Sequence, residues 1–339
     1  MELCGEHMNK CKISVAICTF NGEKYISDQL NSLLNQSRVP DEIIISDDGS
    51  TDNSVKAISK IMSASVVPWQ LSVNTETLGV TKNFEKALCL CSGDIIFTCD
   101  QDDVWLEEKI EKYISTFEEN PDCQLLFSNA KLVDAQLDNL NQSLWESIKY
   151  FQQVECQLDS SQFADLLLKQ NVITGATMAF RRQLLDRVIP ISDRWLHDYW
   201  IGIIATLTGS VIGIPDQLIL YRQHDKNVIG AKKAESFTSA LSKFAYSENR
   251  YKTAETWFDR INDLNDYIRK HDLKLTEDKI LKIINCSNFW KRRIELKNTR
   301  LLKALSMIFV DIMNGGYIKY YTGIKGATRD VLCLLQGEK

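Results

Sequence analysis

The sequence predicts an α/β protein with a doubly wound, mostly parallel sheet, and three observations lead to that fold class. Strand-like and helix-like segments alternate over the first hundred residues, the connections are short, and strands end in polar turns. A helix between two strands returns the chain to the same end of the sheet, which favours parallel pairing. From about residue 231 onward the strand pattern stops, which predicts a helical C-terminal extension.

The alternation can be followed element by element. The predicted strands are Ile13–Cys18, Glu42–Ser46, Trp69–Val73 and Asp94–Thr98. Apolar residues three or four positions apart mark one face of each intervening helix. These inward residues are Tyr25, Ile26, Leu30, Leu33 and Leu34, then Val55, Ile58 and Ile61, then Val80, Phe84, Ala87, Leu88 and Cys91. The run Ser50-Thr51-Asp52 is expected to cap the second helix.

Composition excludes several classes of protein. The chain has 339 residues, 44% of them hydrophobic and 25% charged, which are values typical of globular proteins. With 40 Lys and Arg against 45 Asp and Glu, its net charge is −5. A mildly acidic chain lacks the basic surface that nucleic acid requires, so we expect no nucleic-acid partner. An anionic ligand would need local groups or a bound metal to neutralise its charge.

The sequence also indicates a cytoplasmic location. Residues 1–12 form a polar leader without the apolar core of a signal peptide. The uncharged stretch 200–215 is shorter than the about 20 residues of a membrane span. Its glycines predict a buried helix, Trp200–Leu207, followed by a short strand, Ser210–Ile214. The ten cysteines include no C-x-x-C pair and are expected to be reduced thiols.

We therefore expect a catalytic domain over residues 13–230 and a helical region over 231–339. The segment 301–335 is rich in aromatic residues and carries Lys319, Lys325 and Arg329. Three placements are open for it: on an anionic membrane at the inner face of the cell membrane, on the catalytic domain, or on a second copy in a homodimer.

Polar turns follow three of the predicted strands: TFNG, SDDGSTD and CDQDD. In a doubly wound sheet, ligands bind beyond the carboxyl ends of the strands, at a point where the strand order reverses. These turns are therefore expected to lie along one edge of the sheet and to form the functional site.

The acidic turn after the fourth strand predicts a metal site. Asp100 and Asp102 are two positions apart and share a face, with Asp103 beside them. Carboxylates held together repel unless a cation or a proton lies between them, and oxygen ligands suit Mg²⁺ or Mn²⁺. A solvated acidic turn preceding a helix is the alternative. The second acidic pair, Asp47-Asp48, favours the metal.

Four ordered motifs carry a resemblance to a known family. The runs ISVAICTFNGEKYISDQLNSLLNQ, DEIIISDDGSTDNS, LGVTKNFEKAL and GDIIFTCDQDDVW resemble family 2 glycosyltransferases of the GT-A fold. NVITGATMAFRR, HDYW and LILYRQHDKNVIG resemble the rhamnosyltransferase-like branch that assembles bacterial cell-surface polysaccharides. The resemblance covers about residues 13–230. It implies a Rossmann-like nucleotide-binding domain whose central sheet is flanked by helices.

The resemblance implies a role for each matched position. Asp48 would bond the nucleotide base, Asp100 the ribose, and Asp100 with Asp102 the metal. Asp198 would be the general base. The other nucleotide-sugar positions are Thr19, Asn21, Gly22 and Glu23 in the first loop, Lys82 and Asn83 at a helix start, and Arg222 in a late loop.

The remaining matches concern the metal and the acceptor. His224 in the late loop is a metal-ligand candidate, with a surface loop histidine as the alternative. The acceptor positions are Trp105, Thr174, Gly175 and Trp200, and for the aromatic ones a place in the core is the alternative. For Asp198 the alternative is N-capping of the following helix. This sequence departs from the common pattern at Gln101, inside D-Q-D-D, and at His197. Many relatives carry Glu at the position of His197.

These features together predict an inverting glycosyltransferase that uses Mg²⁺ or Mn²⁺. The expected donor is a nucleotide-diphosphate sugar, best matched by dTDP-rhamnose, and the acceptor a saccharide or lipid-linked saccharide. A UDP-hexose donor and a non-catalytic saccharide- or nucleotide-binding protein are the alternatives. A pyrophosphorylase would need a G-x-G-T-R-type loop after the first strand, and a phospho-receiver domain an acidic pair there, whereas the chain has TFNG.

Overall fold

The computed structural model describes residues 11–150, 158–224 and 248–335, with the side chains of 248–250 left aside. The chain forms two compact units. The first contains Met1–Glu155, Ile173–Ala205 and Gly209–Ala231, and the second Cys156–Val172, Thr206–Thr208 and Lys232–Lys339. Residues 156–172 thus cluster with the C-terminal helices. The predicted regions 13–230 and 231–339 remain predictions, and most of the leader lies outside the described residues.

One mixed sheet organises the first unit. Its strands are β1 Ile13–Thr19, β2 Glu42–Asp47, β3 Trp69–Val73, β4 Ile95–Cys99, β5 Val104–Trp105, β6 Cys123–Val133, β7 Asn139–Ser143, β8 Met178–Arg181 and β9 Ser210–Arg222. Their order is β3-β2-β1-β4-β8-β6-β9-β5, with β7 paired to β6. Strands β3, β2, β1 and β4 are parallel, as predicted. Beyond β4 the sheet is mixed, because β8 runs antiparallel to both its neighbours.

Helices flank this sheet and build the second unit. Those before residue 150 are α1 Ile26–Leu34, α2 Ser54–Met62, α3 Val80–Leu90, α4 Lys109–Glu119 and α5 Leu144–Ser147. Those that follow are α6 Ser160–Leu167, α7 Leu185–Val188, α8 His197–Thr208, α9 Glu248–Lys270, α10 Glu277–Glu295, α11 Leu301–Met313, α12 Gly316–Tyr320 and α13 Ile324–Leu335. The helical C-terminal extension is therefore confirmed for the described residues.

Three local expectations need correction. Val80 is 37% exposed, because α3 begins there, directly after Gly79 with its positive φ of 81°. Helix α2 begins at Ser54 after Asn53, rather than at a Ser50-Thr51-Asp52 cap. The strand after Gly209 continues to Arg222, because it pairs with β6 over most of its length.

The uncharged stretch after residue 200 belongs to the core. Trp200, Ile203 and Ile204 on α8 have no exposed surface. Among the described residues, no helix has the length and apolarity that a membrane crossing requires. The eight cysteines in the described ranges are all free thiols.

The second unit buries charged groups in pairs. Arg293 donates to both carboxylate oxygens of Asp330, at 2.9 and 2.8 Å, and the Tyr317 hydroxyl donates to the same carboxylate at 2.6 Å. Arg292 Nε donates to Asp311 Oδ1 at 2.9 Å. Both aspartates are almost fully buried, so their charges are neutralised inside the unit.

Candidate active site

The three polar turns meet at one edge of the sheet, as the sequence predicts. The parallel register places Thr19 beside Asp47 and Ile17 beside Cys99, so β1, β2 and β4 end at the same side. The Asp48 amide donates to the Thr19 carbonyl at 2.8 Å and ties the first two turns together. Thr19 itself is buried, and its hydroxyl donates to Asp47 Oδ2 at 2.7 Å.

The loop after β1 is fastened to the loop after β2. Asn21 has a positive φ of 49°, and its Oδ1 accepts from the Thr51 amide at 2.9 Å. The Gly22 amide donates to Ser54 Oγ at 2.8 Å. Glu23 Oε2 accepts from the Asn53 amide at 2.6 Å, just before α2 begins. These residues therefore shape the loop through their contacts with the second turn.

Gln101, a departure from the common pattern of the family, joins the first loop to the acidic turn. Its Oε1 accepts from the Phe20 amide at 2.8 Å, and its Nε2 donates to the Phe20 carbonyl at 3.1 Å. A Cβ on Gly22 would lie 2.1 Å from Gln101 Oε1, so this contact requires glycine. No sequence signal beyond the position inside D-Q-D-D indicated this role.

The two consecutive aspartates at the end of β2, Asp47 and Asp48, face different partners. Asp47 is fully buried and accepts from Thr19 and from the amide and hydroxyl of Ser50, at 2.8 and 2.6 Å. Asp48 Oδ1 accepts from the Leu78 amide, and its Oδ2 from the Gly79 amide, at 2.8 and 2.9 Å. Asp48 thus fixes the loop that leads into α3, and a carboxylate with about four acceptor positions keeps further capacity.

Lys82 and Asn83 stand at the start of α3, where the sequence places them. Lys82 Nζ lies 2.9 Å from Glu85 Oε2 and 3.4 Å from Asp193 Oδ1. Burial alone would lower the pKa of Lys82, but these acidic partners outweigh it and raise the pKa. Asn83 is buried, and its amide bonds Ser46, with Nδ2 donating to the Ser46 carbonyl at 2.9 Å.

The acidic turn gathers negative charge. Burial, the charge of Asp102 and the charge of Asp198 together raise the pKa of Asp100 to about 7, with Lys109 acting in the opposite sense. Asp102 Oδ2 lies 2.9 Å from His224 Nε2, and the His224 ring stacks on Tyr25 at 4.8 Å between centroids. The structure therefore brings Asp198 and His224, which are far from the acidic turn in the sequence, close to Asp100 and Asp102.

Asp103 and Arg222 hold the acidic turn against the end of β9. Asp103 Oδ1 accepts from the Arg222 amide at 2.9 Å, while its Oδ2 is buried without a partner among the described residues. Burial and the neighbouring Asp102 and Asp100 raise the pKa of Asp103 well above its usual range. The Arg222 guanidinium is only 2% exposed and donates to the carbonyl of Asp102 at 2.7 Å and to Asp28 Oδ2 at 3.0 Å.

Asp198 lies in the first turn of α8 and faces a tight turn over Gly175–Thr177. Its Oδ2 accepts from the Gly175 amide at 3.0 Å. The N-cap position of α8 is Leu196, so Asp198 is not the N-cap of this helix. A Cβ on Gly175 would lie 2.7 Å from His197 Nε2 and 3.7 Å from Asp198 Cβ, so the close approach requires glycine.

Three side chains fix this turn by binding its consecutive carbonyls. Thr98 Oγ1 donates to the Gly175 carbonyl at 2.5 Å, Lys109 Nζ to that of Ala176 at 3.0 Å, and the Tyr113 hydroxyl to that of Thr177. Lys109 is fully buried, with Nζ 3.3 Å from the centroid of the Trp105 ring. Burial lowers the pKa of Lys109 to about 7. Spacing in the sequence did not indicate this lysine.

His197 is the neighbour of Asp198 and is 5% exposed. Its ring stacks on Phe84 at 3.8 Å between centroids, and neither ring nitrogen has a hydrogen-bond partner in the described ranges. Burial lowers the pKa of His197 to about 3, so the ring is neutral. The residue that replaces Glu in this motif therefore adds no charge beside Asp198.

The acceptor candidates differ in position. Gly175 and the half-buried Thr174 lie in the turn that faces Asp198. Trp105 is 3% exposed, and its ring also lines an open cleft of about 660 Å³ beside α1. Trp200 is fully buried and its Nε1 donates to the Val188 carbonyl at 2.8 Å. Acceptor binding by these residues stays a prediction.

The chemistry of the turn fits a divalent cation. Asp102 offers a carboxylate and His224 an imidazole nitrogen at one point, and Asp100 adds negative charge beside them. Over the described ranges, no three such side chains converge into a complete metal site. Mg²⁺ and Mn²⁺ are commonly held by one or two protein ligands together with water and substrate phosphates, which matches this partial set.

Comparison with known proteins identifies the family. The family model described as Glycosyl transferase family 2 matches residues 14–188, which is more than half of the chain and includes the acidic turn. The chain belongs to glycosyl transferase family 2. Its sheet and helices are accordingly those of a GT-A-like α/β fold, as the resemblance implied.

Two relatives illustrate the match. The dTDP-rhamnosyl transferase RfbG of Shigella flexneri is 28% identical over 246 residues, which cover 69% of this chain and 80% of that protein. An uncharacterised glycosyltransferase of Nostoc is 26% identical over 228 residues, covering 64% of this chain and 66% of that protein. With several curated relatives, the chain matches somewhat less than two thirds of their length.

Solved structures show the same fold. A Staphylococcus aureus TarS fragment in complex with UDP-GlcNAc superposes with a TM-score of 0.55 at 18% identity, covering 96% of this chain and 92% of that one. The mannosyltransferase PcManGT of Pyrobaculum calidifontis, in complex with GDP-Man and Mn²⁺, gives 0.54 at 14% identity and covers 98% and 89%. This family 2 glycosyltransferase therefore has the architecture of structures that hold a nucleotide sugar.

Proposed function

We propose that this glycosyltransferase transfers a sugar from a nucleotide-diphosphate donor to a saccharide hydroxyl, with inversion and with a divalent metal. One observation carries the proposal: Asp198, held by the Gly175 amide, lies close enough to the acidic turn that its charge raises the pKa of Asp100. The carboxylate that would remove the acceptor proton would thus lie in the same site as the carboxylates that would hold the metal at the leaving group.

The donor would bind at the sheet edge formed by the three turns. Asp48 would recognise the base, the loop of Thr19, Asn21, Gly22 and Glu23 would hold the nucleotide, and Asp100 would bond the ribose. Lys82 and Asn83 would shape the pocket from the start of α3. Support for this arrangement comes from the hydrogen bonds that already organise the loops before a ligand binds.

Asp102 and His224, with Asp100, would hold Mg²⁺ or Mn²⁺. When bound, the metal would neutralise the charge that develops on the leaving diphosphate. Arg222 supports these residues because its guanidinium holds the Asp102 carbonyl, and its backbone leads to His224. The net charge of −5 then poses no obstacle, since the bound metal would compensate the charge of an anionic donor.

Asp198 would act on the acceptor. Its carboxylate would take the proton from the acceptor hydroxyl while the new bond from that oxygen to the anomeric carbon forms. At the same time the bond from the anomeric carbon to the diphosphate oxygen breaks, and the nucleoside diphosphate leaves. A single displacement of this kind inverts the anomeric configuration. Thr174 and Gly175 are the proposed acceptor contacts, whereas the burial of Trp105 and Trp200 favours the alternative place in the core for these two residues.

The favoured donor is dTDP-rhamnose, supported by the similarity to RfbG. A UDP-hexose is the second candidate, because TarS was solved with UDP-GlcNAc. The acceptor would be a growing or lipid-linked saccharide of a cell-surface polysaccharide. We place the reaction in the cytoplasm, at the inner face of the cell membrane.

A thermal-shift screen of nucleotides and nucleotide sugars, with and without Mn²⁺, tests this proposal. The true donor should raise the melting temperature most, because stabilisation grows with ligand concentration over Kd. Asp102→Ala should lose the Mn²⁺-dependent part of the shift. Asp198→Asn should keep donor binding and lose transfer by roughly 10²- to 10⁴-fold.

Asp122→Asn provides the matched control, because this carboxylate is exposed and lies outside the site. It should behave like the unmodified protein in both assays. Full turnover by Asp198→Asn would place the base elsewhere. Donor binding with no transfer to any saccharide acceptor would instead favour the non-catalytic alternative.

A further inference from the structure

Helix α11, Leu301–Met313, is apolar on the side that faces solvent. Its buried side is formed by Ala304, Ile308 and Asp311. On the opposite side Leu302 is 84% exposed, Phe309 62% and Met313 70%. Because a helix that is apolar on both sides is normally covered on both, this outer side is expected to meet an apolar partner.

The turn between α12 and α13 presents apolar residues in the same way. Ile318 is 64% exposed and Ile324 is 78% exposed. Ile318 lies beside Gly323, the residue before Ile324, because a Cβ built on Gly323 would be 3.9 Å from Ile318 Cγ1. A lysine follows each of them directly, as Lys303 follows Leu302 on α11.

The charges of this region have one sign at its surface. Residues 296–335 contain six basic residues and two acidic ones, Asp311 and Asp330. Both acids are buried and paired with Arg292 and Arg293, so neither faces solvent. The exposed charged residues are Lys297, Arg300, Lys303, Lys319 and Lys325. Although the net charge of the chain is −5, the exposed charged residues among residues 296–335 are thus all basic.

We propose that the surface formed by the outer side of α11 and by the α12–α13 turn lies on an anionic membrane. Leu302, Phe309, Met313, Ile318 and Ile324 would enter the boundary between headgroups and acyl chains, while the lysines contact lipid phosphates. A second copy fits less well, because a symmetric dimer through this face would bring the same basic residues of both copies together. The proposal concerns the second unit alone and does not rest on the proposed activity.

Flotation of the full-length protein with lipid vesicles tests the proposal. Vesicles of phosphatidylcholine containing about one third phosphatidylglycerol should bind the protein at least ~10-fold more tightly than pure phosphatidylcholine. Raising the salt from about 0.1 M to about 1 M should weaken binding, because the Debye length falls from about 10 Å to about 3 Å.

Two variants separate the apolar from the charged contribution to vesicle binding. Phe309→Ser should weaken binding to both kinds of vesicle, whereas Lys319→Gln combined with Lys325→Gln should weaken binding only to the anionic kind. Val66→Ser and Lys60→Gln are matched controls, since both side chains are exposed outside this surface. An unchanged circular-dichroism spectrum and an unchanged melting temperature of Phe309→Ser without ligand would show that this variant is folded.

Three results would each overturn the proposal, and the first two come from the flotation assay. One is failure of the unmodified protein to float with anionic vesicles, and another is equal flotation of Phe309→Ser. The third is a stable dimer in size-exclusion chromatography with light scattering that Phe309→Ser disrupts, together with no vesicle binding. Loss of nucleotide binding alone would count against the proposed activity and leave the membrane proposal standing.

Discussion

The backbone amide of Gly175 donates a hydrogen bond to Oδ2 of Asp198 at 3.0 Å. This contact fixes one oxygen of the proposed base. The turn that carries Gly175 is itself held through its carbonyls by Thr98 and Lys109. The orientation of Asp198 therefore depends on β4, which leads into the acidic turn, and on α4, which follows it. The candidate base and the candidate metal ligands are thus positioned by the same two elements.

Gly175→Ala should impair transfer more than donor binding. The added methyl group would lie 2.7 Å from His197 Nε2 and would force the turn away from Asp198. Because small misplacements of a catalytic group are costly, we expect kcat to fall roughly 10- to 100-fold. Steady-state kinetics with a donor titration would measure this. Gly213→Ala, where a Cβ would be 3.1 Å from Phe127, controls for crowding and should keep kcat near normal.

Lys109→Met should lower both stability and kcat. The substitution keeps the apolar stem but leaves the buried Ala176 carbonyl without its donor, at a cost of about 1–3 kcal/mol. Chemical unfolding and transfer kinetics would be measured together. Lys279→Met is the matched control, because Lys279 is also buried and donates to backbone carbonyls. If kcat fell equally in both variants, Lys109 would contribute to the stability of the protein and have no specific effect on transfer.

Asp48→Asn should weaken nucleotide binding. Both Asp48 oxygens accept hydrogen bonds from backbone amides. In the Asn variant an NH₂ group would face one of these N–H donors, so that hydrogen bond would be lost and the two donors would repel each other. We expect an affinity loss of roughly 10-fold, measured by calorimetric titration with the preferred nucleotide. Asp41→Asn, which alters the acceptor of the Ile13 amide near the start of β1 and β2, should leave that affinity unchanged.

The free energy of unfolding of His197→Leu should fall less on acidification than that of the unmodified protein. Burial lowers the pKa of His197 from its usual 6.5 to about 3, so the unfolded chain takes up a proton that the folded chain excludes. The stabilisation is therefore complete above pH 6.5 and is lost as pH falls towards about 3. At pH 5 we expect a loss of about 2 kcal/mol relative to pH 7.5, and the variant should lack it.

Urea unfolding at a series of pH values would measure that difference. His271→Gln controls for loss of a histidine in the second unit and should retain the profile of the unmodified protein. An identical pH dependence in the His197→Leu variant would contradict the assignment.

The four strands predicted over the first hundred residues agree with the structure to within a few residues. Buried runs such as Glu42–Asp47 are short, apolar and bounded by turns, so their type is set locally. The ends of the elements were predicted less accurately than their type. Val80 is an example, because its position in the helical repeat predicts a buried residue, but as the first residue of α3 it is 37% exposed.

The sequence by itself determined the family, the parallel half of the sheet and the set of carboxylates at its edge, because each depends on short ordered motifs. Only the tertiary structure decided which side chains meet. Gln101 and Phe20, Lys109 and Ala176, or Asp102 and His224 are joined by contacts across 67 to 122 positions of the chain. Such contacts depend on strand order and helix packing, for which spacing along the sequence carries no signal.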